Sequence, residues 1–181
     1  MVADIPRLET ERLVLRRWDP VADLDPYAAL CADPAVMRFI GNGVTQTRAE
    51  SAGRLRAFEQ LWQERGFGLF ALELTSTGEL IGFTGLAVPD FLPQIMPAVE
   101  IGWRLGPAHW GHGYATEAAR SVLSFGFDRV HLERVVSVHA VGNDASANVM
   151  RKIGMRLERE TVHPGNGRAV PVFAIDRPVI R

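Results

Sequence analysis

Trp110-Gly111-His112-Gly113-Tyr114-Ala115-Thr116-Glu117-Ala118-Ala119 is a glycine pair that runs directly into a small-residue helix. The apolar segment before it, Ala98-Val99-Glu100-Ile101-Gly102-Trp103-Arg104-Leu105, reads as a strand, so the local order is strand, glycine loop, helix. A helix entered this way offers free backbone N–H groups at its mouth, and glycines let the main chain approach a ligand without an intervening Cβ. The expected occupant is a phosphate or pyrophosphate at the start of a helix beginning near Gly113. The loop lacks the Gly-Lys-Ser/Thr of a nucleoside-triphosphate loop. It also lacks the third glycine and following acidic residue of a dinucleotide fold.

Working outward, Leu13-Val14-Leu15 reads as a first strand, and Asp19-Pro20 predicts a helix running from there to about Cys31. Thr47-Arg48-Ala49-Glu50 has capping-box spacing ahead of Leu55, Phe58, Leu61 and Trp62, with Gly66 as the stop. The stretches 67–74 and 80–88, separated by Thr75-Ser76-Thr77-Gly78, predict a hairpin. The loop helix, with Ala115, Ala118, Ala119, Val122 and Gly126 on one face, should end near Val130. A strand follows over 134–141, then a short helix from Asn143-Asp144 to Gly154, and a final hairpin of 155–162 and 169–175. The connector 89–97 is apolar and rich in proline, and should pack against the body, a substrate or a second subunit.

No repeat or linker interrupts the 181 residues, which suit one domain spanning 1–181, of α/β class with a mixed sheet. Twenty basic and twenty-one acidic residues give a formal charge of -1, so nothing draws the chain toward nucleic acid or an anionic membrane. The single Cys31 has no internal disulfide partner. Met1-Val2-Ala3-Asp4-Ile5-Pro6-Arg7 has no signal-peptide character, and no run reaches the roughly 20 apolar residues of a membrane span. A soluble cytoplasmic protein is the expectation. The five histidines show no paired metal spacing, so no metal is expected.

Four segments, in this order, resemble the GNAT superfamily of acyl-CoA-dependent N-acetyltransferases, in particular its RimJ/RimL branch. They are Glu-Arg-Leu-Val-Leu-Arg at 11–16, Glu-Ile-Gly-Trp at 100–103, Trp-Gly-His-Gly-Tyr-Ala-Thr-Glu-Ala at 110–118, and Asn143-x-x-Ser146 with Lys152-Ile153-Gly154-Met155. The resemblance covers nearly the whole chain. It implies a splayed, mostly antiparallel sheet flanked by helices, with acetyl-CoA between two diverging parallel strands, 99–105 and 134–141. Its pyrophosphate would rest on the loop formed by Trp110, Gly111, His112, Gly113, Tyr114, Ala115 and Thr116. Trp110 departs from the Gln or Arg of the broad superfamily pattern, so its contribution rests on the main chain. The resemblance further places Trp103 and Leu105 along the acyl channel and Asn143 at the pantetheine or amine site.

It also implies that Ser146 protonates the departing thiolate and that Glu100 takes the amine proton, making these two the catalytic candidates. The residues alone leave plainer roles open: Asn143 as an N-cap, Ser146 as a first-turn hydroxyl, Glu100 as an edge carboxylate, Glu117 as a complement to the helix dipole. The expected reaction is direct attack of a primary amine on acetyl-CoA, with the oxyanion held by a main-chain N–H of the 102–105 strand. An α-amine near pKa 7.8 is roughly one-seventh neutral at pH 7, a lysine near 10.4 only about once in 2,500 molecules. An α-amine or another less basic amine is therefore the easier acceptor, and the resemblance to the RimJ/RimL branch implies a protein or peptide N-terminus, with a small-molecule amine or antibiotic, or a non-catalytic acyl-CoA-binding role, as alternatives. A homodimer is compatible with the sequence.

Overall fold

The computed structural model describes residues 7–178; residues 1–6, read above for a leader, and 179–181 lie outside the described residues. Eight strands form one sheet in the order β1-β2-β3-β4-β5-β6-β8-β7: β1 Leu8–Glu9, β2 Leu13–Arg16, β3 Leu69–Leu74, β4 Leu80–Ala87, β5 Glu100–Leu105, β6 Arg134–Val138, β7 Arg156–Val162 and β8 Ala169–Asp176. The helices are α1 Leu24–Ala32, α2 Pro34–Met37, α3 Arg48–Arg65, α4 Tyr114–Asp128 and α5 Asp144–Lys152. Every neighbouring pair is antiparallel except β5 with β6. No helix among the described residues is long and apolar enough to cross a membrane.

The expected capping box is present: the Thr47 side chain accepts from the Glu50 N–H while Glu50 reaches back to Thr47, and left-handed Gly66 closes α3. Two other expectations need correction, and two elements were not anticipated. α1 begins at Leu24, not at Asp19, because Asp19 caps a preceding turn through Val21 and Ala22. Asp23 is meanwhile held by both terminal nitrogens of Arg16 at 2.7 Å. β6 ends at Val138 rather than 141: the Asn143 N–H bonds the Ala140 carbonyl and Gly142 turns left-handed, so the alternating valines outrun the strand. β1 and α2 went unpredicted, being two and four residues long.

The sheet is covered on both faces. On one, α4 lays Ala118, Ala119 and Val122, all fully buried, against Ile101, Leu105 and Val135. These small side chains let α4 lie close to β4 and β5. On the other face, α1–α3 pack Tyr27, Cys31 and Leu55 over Ala71 and Phe83. There too the 89–97 connector finds its expected partner in the body: Leu92 and Ile95 cover Val136, Val170, Val172 and Ala174.

Candidate active site

β5 and β6 share a single register pair, Glu100 with Val136, where the Val136 N–H bonds the Val99 carbonyl at 2.9 Å. Beyond it the ladder stops because side chains take over the carbonyls of β5. The Ser137 hydroxyl donates to the Ile101 carbonyl at 2.8 Å, and the Trp110 indole N–H donates to the Leu105 carbonyl at 2.8 Å. These two carbonyls are taken by side chains instead of β6 amides, and the two strands diverge past Glu100 and Val136. The β4 ladder uses alternate residues of β5, with the Gly106 N–H on the Ile81 carbonyl, so the amides of Trp103 and Leu105 point into the gap.

Glu100 stands at the apex of this gap, on the face away from α4. The residue keeps some accessible surface, but its carboxyl is enclosed between the strands. Desolvation raises its pKa from the usual 4.5 to about 7, against the opposing effect of the N–H that Val138 donates to it. A carboxyl with this pKa suits a general base at neutral pH.

At the mouth of the gap lies the glycine loop. Gly111 and Gly113 have φ of 80° and 83°, a region in which side-chain-bearing residues are strained. Gly113 is the N-cap of α4 and supplies no side-chain bond to it, whereas α3 and α5 are capped by Thr47 and Asn143. The first amides of α4 are thus left for an anion, and the 111–113 stretch before them is exposed. Trp110 is half exposed, with its N–H committed to Leu105, so it braces the loop. His112 stacks on Tyr114 at 5.6 Å between ring centres.

The other expected residues fall as follows. Trp103 lies partly buried against the α4 core, beside the gap, and the Leu105 side chain is buried in that core. Thr116 is buried in the first turn of α4. Asn143 is an N-cap, accepting from the Ser146 N–H at 3.2 Å, and Ser146 sits half-buried on the first turn of α5.

Two residues of this site were not singled out from sequence. One is Ser137, whose place on a valine-rich strand gave no signal. The other is Arg12, although it stands inside the 11–16 motif. Arg12 bonds the His112 carbonyl at 3.0 Å, lies 4.7 Å from the centre of the Tyr114 ring, and pairs with Glu117 at 2.6 Å. Burial pushes the Glu117 pKa up, but hydrogen bonds from Thr10 and Arg12 outweigh it and hold the carboxyl below its usual value. Glu117 thereby ties α4 to the β1–β2 turn. Arg12→Ala is expected to lower stability by about 1 kcal/mol and to weaken coenzyme A binding roughly tenfold by loosening the loop. Thermal melts and calorimetric titration check this; unchanged affinity would show that the loop holds its shape without Arg12.

Residues 12–156 match the model of the acetyltransferase (GNAT) domain. YnaD of Bacillus subtilis, an uncharacterised N-acetyltransferase, is 44% identical over 152 residues, covering 83% of each chain. An acetyltransferase structure from Agrobacterium tumefaciens superposes with a TM-score of 0.81 at 30% identity, covering 95% of each chain. RimL, a ribosomal-protein alpha-N-acetyltransferase solved with coenzyme A, shares the fold: TM-score 0.77 at 19% identity, over 95% of this chain and 97% of that one. The chain belongs to the GNAT acetyltransferases. Within them it is an N-acetyltransferase that shares its fold with RimL.

Proposed function

We propose that this protein transfers the acetyl group of acetyl-CoA directly to an α-amine, that of a protein or peptide N-terminus. The observation that carries the reading is the gap between β5 and β6, with the Glu100 carboxyl at its apex and the uncapped start of α4 at its mouth. The exposed glycine loop and free first amides of α4 fit a pyrophosphate, and the gap-facing amides of Trp103 and Leu105 fit an acyl-thioester. Bound there, the thioester supplies the acetyl group. The Trp103 N–H is aimed where negative charge develops on the carbonyl oxygen. Glu100, half ionised near pH 7, takes a proton from the amine directly or through one water.

Ser146 supplies the proton for the departing thiolate. Asn143 holds its backbone N–H and leaves the hydroxyl out of the capping contact. Ser146→Ala is expected to lower kcat about tenfold, below the usual roughly 100- to 10,000-fold range of general acid catalysis because water substitutes. Stopped-flow thiol release checks this, and an unchanged kcat would remove Ser146 from the chemistry. The α-amine reading is tested by offering one peptide with a free and a blocked N-terminus, each carrying one lysine. Acetylation of the free form at its N-terminus supports it, and equal lysine acetylation in both overturns it.

A further inference from the structure

Side chains of β5 alternate between the two faces, so Glu100, Gly102 and Arg104 share the face covered by α1–α3. Space above the middle one is open: a Cβ on Gly102 would meet nothing within 4 Å. Arg104 is part-buried and takes part in none of the ion pairs among the described residues. Its Nε is buried without a hydrogen-bond partner. Its Nη1 reaches only the Cys31 sulfur at 3.4 Å, a weak acceptor, and its guanidinium lies 5.1 Å from the centre of the Phe83 ring. Glu100 does not pair with it; the two Cα atoms are four residues apart along the strand, roughly 13 Å.

The wall around Arg104 is also polar and incompletely paired. Tyr27 and Cys31 are buried beside it, and Arg54 adds a second positive charge acting on the Tyr27 hydroxyl. Gln46, whose N–H bonds the Cys31 carbonyl, has a buried Oε1 without a partner. A part-buried guanidinium with donors unpaired costs free energy that an arriving carboxylate offsets, and the planar fork recognises carboxylates in pairs of hydrogen bonds.

We infer that Arg104 binds a carboxylate of the acceptor, so that the amine to be acetylated lies over Gly102 between Glu100 and Arg104. This rests on the reading of Glu100 as the amine end of the gap. Gly102 is two residues from each, roughly 7 Å along the strand. That span fits an amine and a carboxylate only a few bonds apart. Two sources carry this chemistry: a free amino acid, or a peptide whose first residue has an acidic side chain.

The test measures acetyl transfer to two matched pairs, with rates expressed per neutral amine. The first pair is alanine and alaninamide; the second is a tripeptide amide beginning with aspartate and its asparagine counterpart. Wild type is expected to favour the carboxylate member of one pair about 30-fold or more, mainly through KM. The pair that discriminates identifies the source. In Arg104→Gln that ratio collapses to below about threefold, and Arg104→Lys keeps an intermediate value. Equal use of both members in both pairs by wild type overturns the inference even if Arg104→Gln does not fold, and so does a preference that survives the substitution. Transfer to the amide members with no carboxylate preference leaves the acetyl-transfer reading standing. Absence of transfer to every member overturns both.

Discussion

Gly113→Asp is expected to weaken coenzyme A binding about 100-fold, while Gly113→Asn weakens it less than about tenfold. Asn and Asp are the side-chain-bearing residues that best tolerate the left-handed backbone that Gly113 adopts at φ 83°, so the two variants strain the loop to a similar degree. There is room for either: a Cβ here meets only the Arg12 guanidinium, at 3.6 Å. What separates them is one negative charge at the start of α4. Two like charges about 4 Å apart at a protein surface repel by roughly 4 kcal/mol, and the nearby Arg12 together with salt reduces this toward the roughly 2.7 kcal/mol of a 100-fold effect. Isothermal titration of both variants, with thermal melts to show that each is folded, checks this. Equal losses for Asp and Asn would mean that loop shape, and not the anion cradle, governs affinity.

Glu100→Gln is expected to lower kcat 100- to 1,000-fold at pH 7, the usual range for removing a general base, while leaving coenzyme A affinity within about threefold. The pH profile should change in form as well as height. In wild type kcat/KM rises as Glu100 ionises through about pH 7, and in the variant only the titration of the amine remains. Stability gives an independent readout. The carboxyl has a folded pKa near 7 against 4.5 unfolded, so the folded state holds the extra proton between those values, and stability falls as pH rises through that window. A shift of this size corresponds to about 3 kcal/mol, so Glu100→Gln should be more stable than wild type at pH 8 by up to that amount and no more stable at pH 4. An unchanged acid limb in the variant would show that another group takes the proton.

Most of the elements were legible in the sequence because their signals are local. The Thr47–Glu50 box, Gly66, the Thr75–Gly78 turn and the Gly111–Gly113 pair each act within a few residues. The gap itself was not legible from residue patterns, since it depends on bonds between distant segments: Ser137 to Ile101, Trp110 to Leu105, Arg12 to His112. Only the resemblance in segment order supplied it. Local pattern also misled where a tertiary contact won. The Arg16–Asp23 pair delayed the start of α1, and the turn at Gly142 cut β6 short of its valine pattern. Glu100 was identified by position, but its raised pKa comes from enclosure between strands that no sequence window contains. Arg104 drew no attention because an arginine on a strand carries no information until its lack of a carboxylate partner is seen.

The acetyl-transfer chemistry is tested most directly by following free thiol released from acetyl-CoA with a peptide bearing a free α-amine, and by locating the acetyl group on the product by mass spectrometry. Thiol release that matches acetylation of the α-amine, and that falls at least 100-fold in Glu100→Gln, is the expected result. Tight binding of coenzyme A with no transfer to this or any amine would contradict it and make the cleft a binding site alone.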